Sequence, residues 1–235
     1  MAVTKHDVHD DPNQLVVARA KDFWTKYNKP VVVVCAVIIL VAGGYLAYKK
    51  LYKEPREEKA NDALFQAESY QRNALSSPKP DSLLKLALNG DGVNAGFLKV
   101  MSRFKGTDAA NIAKLYAGEC YLILNDNASA VKYLKDFSTG SKFFQARADK
   151  LLGDAYADLG KNKDAFDSYK KAAGEFKEDV ELSSEALFLA AYLAQTKLND
   201  QKQAIELFKD LKDKFPNTQR GVEADKYLAR LGVYN

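Results

Sequence analysis

Histidine is almost absent from this 235-residue chain, since its only two, His6 and His9, both lie at the N-terminus. The rest of the chain therefore has no histidine for a catalytic triad or a zinc-hydrolase motif. It also has no phosphate-binding loop ending in Gly-Lys-Ser/Thr. These absences argue against an enzyme, and we expect no cofactor and no small-molecule substrate. A metal role for His6 and His9 is an alternative, but their short polar segment is more typical of a disordered tail.

Cysteine and proline are also scarce, and their positions limit the fold. Cys35 lies in an apolar run and Cys120 lies beside Tyr121, so we expect the two thiols to fill apolar space without pairing. No proline occurs between Pro80 and Pro216, and no alternating apolar pattern typical of a strand stands out. The sequence therefore predicts an all-α fold.

A motif of helical spacing recurs in this proline-free region. It places a glycine three residues before a tyrosine, as in Gly118 with Tyr121 and Gly153 with Tyr156. Three further positions follow at fixed intervals, occupied by Ala130, Leu134 and Phe137 and then by Ala165, Tyr169 and Ala172. This is the skeleton of a tetratricopeptide repeat, a pair of antiparallel helices about 34 residues long. The glycine would let the two helices cross closely, although it costs the helix about 1 kcal/mol. An ordinary helical domain with a chance Gly-Tyr pair is the alternative.

The repeat frame continues downstream in a degenerate form. The second half of the motif is supplied by Ala204, Phe208, Leu211 and Pro216. The helix before it, about 184–198, has Tyr192 at the glycine position. Ala204 follows Ala165 by 39 residues, so the sequence predicts a longer connection at about 177–183.

Upstream, a helix over about 57–75 is expected to pair with one that begins at Phe97 and ends near Gly106. A broken loop, a short helix over 83–88 and a tight turn at 89–92 would separate them. A last helix, about 218–231, would cover the apolar face of the final repeat. We therefore predict an α-solenoid of three to four helix pairs with a capping helix.

An 18-residue run without a charge, 31–48, precedes the repeats. As a helix it would be about 27 Å long, close to the thickness of the hydrocarbon core of a bilayer. Pro30 would suit the first turn of this helix. Residues expected at the membrane interfaces flank the run: Trp24, Tyr27, Lys29, Lys49 and Lys50. A buried core helix and a cleaved signal peptide are the alternatives to an uncleaved anchor.

The sequence thus divides into a tail (1–30), a transmembrane helix (31–48), a basic linker (49–56) and a repeat domain (57–235). The net charge of +4 belongs entirely to residues 1–56, while the repeat region is neutral. This distribution fits contact with anionic headgroups of a lipid bilayer and gives no indication of nucleic-acid binding. Because basic residues nearly balance across the apolar run, charge alone leaves the orientation open. A short tail before a large domain favours an N-terminus in the cytoplasm.

The first helix of each repeat is expected to line a concave surface that binds partners. The repeat frame places eleven residues there: Ile112, Leu115, Glu119, Leu122, Arg147, Lys150, Asp154, Ala157, Ala186, Leu189 and Leu193. This mixture of apolar and charged side chains suits an extended or partly unfolded chain. Packing against the membrane-proximal helix or a second copy of the chain is the alternative use of these residues.

Four stretches of the chain resemble a known family. They are Lys85–Asp91, Gly96–Leu98, Lys105–Asn111 and Lys114–Gly118. Together with the order of tail, membrane helix and repeats, they are similar to the ancillary Sec-translocon subunit (YfgM-like) family of membrane-anchored tetratricopeptide repeat proteins, in particular its Bacteroidetes-type members. The resemblance covers nearly the whole chain, from about residue 18 to 231.

The resemblance implies an inner-membrane protein with its repeats in the periplasm. It would associate with Sec translocon subunits and a membrane-anchored periplasmic chaperone, and bind emerging clients without catalysis. A structural repeat scaffold of another envelope assembly, such as a secretion or cell-division machine, is the alternative.

Overall fold

The computed structural model describes residues 12–234, and the chain divides into two compact units at Pro55–Arg56. The first unit contains helix α1, Pro12–Tyr48. This helix begins well before the predicted membrane boundary and continues through Pro30, so Pro30 does not start it. The long stretch without glycine before residue 43 favours one uninterrupted helix over a separate tail. The segment with His6 and His9 lies outside the described residues.

Helix α1 is apolar and exposed within the chain. Its best 18-residue window has a mean hydropathy of 2.6, and none of that window is buried. The helix is long and apolar enough to cross a membrane, as either a membrane anchor or a signal sequence. Trp24 and Tyr27 before the apolar run are exposed, as are Tyr45 and Tyr48 at its end, and their place at a membrane interface stays a prediction.

The segment assigned as a basic linker, 49–56, is helical. Residues Lys49–Lys53 form a π-helical segment in which the Glu54 N–H donates to the Lys49 carbonyl, five residues earlier. In a regular α-helix the ring of Pro55 would clash with the carbonyl four residues before it. A wider turn immediately before Pro55 relieves this clash, and helix continues on its far side.

Ten helices follow α1. They are α2 (Glu54–Leu75), α3 (Pro80–Asn89), α4 (Phe97–Arg103), α5 (Asp108–Ile123), α6 (Asn127–Lys135), α7 (Lys142–Asp158), α8 (Asn162–Glu175), α9 (Val180–Thr196), α10 (Gln201–Lys214) and α11 (Gln219–Arg230). Within the described part of the chain no strand is present, and an isolated bridge between Gly90 and Ala95 closes the turn before α4. The predicted all-α fold and the predicted helices upstream of the repeats are confirmed.

Three helix pairs form the centre of the second unit: α5 with α6, α7 with α8, and α9 with α10. Helices α2, α3 and α4 share an apolar cluster with α5, whose largest fully buried members are Leu84, Phe97 and Val100. At the other end, Leu228 of α11 joins the cluster of α9 and α10, as expected of a capping helix.

The helices of the first two pairs cross where the sequence has glycine. A Cβ on Gly118 would overlap the side chain of Leu134, and one on Gly153 would overlap the ring of Tyr169. The physical reason inferred from the sequence is therefore the one found in the structure.

The third pair departs from the predicted frame. Ala191 is fully buried and Tyr192 is 41% exposed. Ala191, and not Tyr192, therefore occupies the position that Gly118 and Gly153 occupy in the first two pairs. The turn explains the shift. The N–H that closes it donates five residues back in the first two pairs, from Asp126 and Lys161, but six residues back in the third, from Asp200 to the Ala194 carbonyl.

The other extra residues of this repeat also lie elsewhere than predicted. Helix α8 has 14 residues whereas α6 has nine. The connection from α8 to α9 covers only 176–179, which is shorter than the one from α6 to α7 at 136–141. The prediction of a longer loop at 177–183 is therefore wrong, because the added residues extend a helix whose apolar face continues through Ala172 and Ala173.

Candidate partner-binding surface

The candidate surface is defined by positions counted along each first helix from the small residue at the helix crossing, which is Gly118, Gly153 or Ala191. On α5 and α7 the predicted residues lie six and three positions before the glycine, and one and four after it. We call these positions the inner stripe. Correcting the register of α9 to Ala191 places Glu185, Phe188, Tyr192 and Gln195 on the stripe, instead of Ala186, Leu189 and Leu193.

Most of the predicted apolar residues belong to the core. Leu115 and Ala186 are 0% exposed and Leu193 is 7% exposed, so these three offer almost no side-chain surface to a partner. Ile112, Leu122 and Leu189 are partly buried and pack against the core clusters. Ala157 is also partly buried. Leu115 is buried although it lies on the inner stripe, because residues of α6 and α7 pack around it. Ala186, Leu189 and Leu193 lie off the stripe because their frame was one residue out of register.

The four predicted charged residues, Glu119, Arg147, Lys150 and Asp154, are partly buried and come together in two groups. Glu119 lies between α2 and α7. Its Oε1 accepts from Arg147 Nη2 at 2.6 Å, and its Oε2 accepts from Gln71 Nε2 at 3.0 Å. One carboxylate therefore connects three successive first helices, α2, α5 and α7.

Asp154 forms the second group within its own helix pair. It accepts from Lys150 Nζ and from the Tyr169 hydroxyl, each at 2.9 Å. Tyr169 reaches Asp154 because its ring lies against Gly153. Burial raises the pKa of Tyr169 well above its usual value, and the charge of Asp154 adds to this, so the hydroxyl stays protonated as a donor.

The corrected stripe adds a third group at the capping helix. Arg220 of α11 donates from Nε and Nη2 to the two oxygens of Glu185. Its guanidinium also lies 4.1 Å from the ring centroid of Phe188 and pairs with Glu223. A bidentate ion pair stacked on an aromatic ring is the arrangement for which arginine is suited and lysine is not.

The open space beside these groups is small. A pocket of about 200 Å³ between α2, α5 and α7 is lined by residues that include Arg72, Leu75 and Tyr116 together with the Glu119–Arg147 pair. Since Glu68 pairs with Arg72, the charges around this pocket are already compensated. The inner stripe is therefore mainly an internal network between helices.

Two participants in these groups were not predicted from the sequence. Gln71 lies 48 residues from Glu119, and Arg220 lies 35 residues from Glu185. Neither lies in the motif, and only the stacking of the helices brings them to their partners. Gln71 is only 5% exposed, and the other buried residues of α2 are apolar. A buried amide in such a position needs a hydrogen-bond partner, which Glu119 provides.

No group of three or more potential metal ligands occurs among residues 12–234. Cys120 is buried in the core formed by α2 to α5, and burial raises the pKa of its thiol to about 12. This thiol is a small core residue, in line with the sequence-based interpretation.

Residues 185–218 match the tetratricopeptide repeat family. The match covers α9 after its first turn, all of α10 and the whole connection to α11, with Ala204, Phe208 and Pro216 inside it. Together with the stacked helix pairs it identifies the fold as an α-solenoid of tetratricopeptide repeats. A comparison with curated proteins finds no match to the chain. Solenoids of this type are typically non-catalytic scaffolds for protein interactions.

Proposed function

We propose that this protein is a non-catalytic membrane scaffold that associates with the Sec protein-translocation channel and binds emerging clients or a periplasmic chaperone. The observation that carries the proposal is the presence, in one chain, of an exposed apolar helix of membrane length and a tetratricopeptide repeat solenoid. The four stretches that resemble ancillary Sec-translocon subunits add the channel as the specific partner.

The same proposal includes a location and an orientation. The chain would lie in the inner membrane as a single-pass protein, with its N-terminus in the cytoplasm and its repeats in the periplasm. Lys29 before the apolar run and Lys49 and Lys50 after it would contact anionic headgroups. The large domain that follows the apolar run supports this orientation.

The mechanism would be tethering without a covalent step. A solenoid in which an ion pair such as Arg147–Glu119 joins neighbouring repeats would present a binding surface on a chain tethered to the membrane. Such a surface raises the local concentration of a chaperone or a client beside the channel, and this strengthens weak contacts through effective concentration alone.

A second candidate is a structural scaffold of another envelope assembly, such as a secretion or cell-division machine. One observation favours it. The charges of the inner stripe are paired with one another, as expected of a stripe that stabilises a stack rather than binding many different unfolded segments.

Chemical cross-linking in intact membranes would test both candidates. A C-terminally tagged full-length chain is cross-linked with formaldehyde, solubilised in mild detergent and purified, and the captured proteins are identified by mass spectrometry. Enrichment of Sec channel subunits over an untagged control is the expected result. Enrichment of other envelope machinery without Sec subunits would reject the first candidate in favour of the second, and recovery of the chain alone would reject both.

The orientation needs its own measurement. Protease added to intact spheroplasts should remove the repeat domain of a C-terminally tagged chain and leave an N-terminal tag protected. Protection of the C-terminal tag would contradict the periplasmic location.

A further inference from the structure

A groove of about 550 Å³ lies between α8, α9 and α10, away from the inner stripe. Two walls come from α8 and α10, the second helices of neighbouring pairs. The additional length of α8 contributes to one of them, since Ala173 and Gly174 lie in the part of α8 that extends beyond the length of α6. The groove is therefore a direct consequence of the residues that separate this repeat from the regular ones.

The floor of the groove is apolar. Leu187, Leu207 and Phe215 each keep 8% of their surface exposed, although they belong to the core cluster of the C-terminal repeats. Val180 at the edge is 45% exposed. A bulky apolar side chain entering here would remove this remaining surface from water.

The rim of the groove is basic. Lys170, Lys177 and Lys214 line it with a single carboxylate, Asp210, which pairs with Lys214. Lys170 lies over the ring of Phe166, and neither Lys170 nor Lys177 is within ion-pair distance of a carboxylate in the described part of the chain. Two lysines beside an apolar floor thus have no carboxylate within ion-pair distance.

We propose that this groove binds a segment of a partner protein in which a bulky apolar side chain is flanked by acidic residues. Charge complementarity with the lysines selects the acidic flanks, and the floor selects the apolar side chain. A groove of this size accommodates a projecting side chain, whereas a flat lipid surface would contact only the rim. The inference rests on the proposed scaffold function and places its docking site outside the inner stripe, whose charges are already paired.

Gly174 offers a way to fill the groove without disturbing the fold. A Cβ on this helical residue would meet no atom within 4 Å, so Gly174→Phe extends a ring into open space. Gly140, in the connection between α6 and α7, is equally open and lies outside the groove, so Gly140→Phe is a matched control. The pair Lys170→Glu and Lys177→Glu, made together, tests the rim.

The probe is a fluorescein-labelled Glu-Glu-Leu-Phe-Glu-Glu peptide, titrated with the full-length chain in nanodiscs and followed by fluorescence anisotropy. We expect binding that weakens as salt is added, since the lysines are exposed. Gly174→Phe and the double lysine variant should each weaken it by about tenfold or more, and Gly140→Phe should leave it unchanged. A peptide with lysine in place of glutamate should not bind.

Three results would overturn the proposal: no binding of the acidic peptide, equal binding by Gly174→Phe, or an equal loss in Gly140→Phe. Laurate that binds instead of the peptide, and loses affinity in Gly174→Phe, would assign the groove to a fatty acid and also overturn it. The cross-linking experiment separates this failure from that of the scaffold function. If partners are still captured by the wild-type chain while the peptide fails, the scaffold stands and its docking surface lies elsewhere.

Discussion

Arg147 and Glu119 form a 2.6 Å ion pair that joins the first helices of two neighbouring repeats. The equivalent carboxylate one repeat later, Asp154, bonds within its own pair instead. The difference has two causes, since the position of Arg147 is occupied in the next repeat by Glu185, which cannot pair with Asp154, and a different residue faces each glycine. Tyr169 carries a hydroxyl that can reach Asp154, whereas Leu134, facing Gly118, has none to offer Glu119. Glu119 is therefore available to bond between repeats.

The Arg147–Glu119 pair should couple the stability of two repeats. In a double-mutant cycle with Glu119→Ala and Arg147→Ala, we expect a coupling free energy of about 1 kcal/mol, because both side chains are partly buried. Thermal unfolding of the full-length chain in detergent, followed by circular dichroism, measures it. The exposed pair Lys163 and Asp167 is the control and should show almost no coupling. Equal coupling in the two pairs would contradict the structural role of Glu119.

A methyl group on the crossing glycine should destabilise the solenoid. Gly118→Ala forces Leu134 away from α5, and we expect a loss of about 1–3 kcal/mol of unfolding free energy. Adding Leu134→Val to Gly118→Ala should recover part of it. Gly174→Ala, where the new methyl group meets open space, should instead stabilise by up to about 1 kcal/mol through helix propensity. Equal effects of the two alanine substitutions would show that the crossing is not close.

The corrected register of α9 makes a distinguishing prediction. Ala191→Leu inserts a larger side chain at a fully buried position and should destabilise the chain by about 1–3 kcal/mol. Tyr192→Leu alters a partly exposed side chain and should cost less, mainly through lost ring contacts with Phe188 and Tyr227. Melting temperatures of the two variants decide between the frames. A larger loss for Tyr192→Leu would restore the frame read from the sequence.

Cys120 should be unreactive in the folded protein. Its side chain is buried, and a thiol pKa of about 12 leaves almost no thiolate at neutral pH. Iodoacetamide treatment followed by peptide mass spectrometry should find Cys120 unmodified without denaturant and modified in urea. Reaction of Cys120 under native conditions would indicate that the core formed by α2 to α5 opens readily.

Much of this protein was determined by the sequence itself. The recurrence of Gly118 and Gly153 with their partner residues predicted the first two helix pairs and the reason for their close approach, because helix crossing is decided by the size of one local side chain. The apolar run at 31–48 similarly predicted a helix of membrane length from composition alone. Pro30 did not give the start of that helix. A proline inside a helix removes one backbone hydrogen bond, and α1 continues through Pro30 from Pro12 despite this loss.

Only the tertiary structure decided which of the predicted partner-binding residues are exposed. Leu115 lies on the inner stripe but is fully buried, and Ala186 and Leu193 are buried because the true register of α9 places them off the stripe. One added residue in the turn before α10 shifts every repeat position on α9 by one residue. The spacing in the sequence cannot show whether added residues lengthen a loop, a turn or a helix. Gln71 and Arg147 lie 48 and 28 residues from Glu119 along the chain, and Arg220 lies 35 residues from Glu185, so these ion pairs and hydrogen bonds exist only once the repeats are stacked.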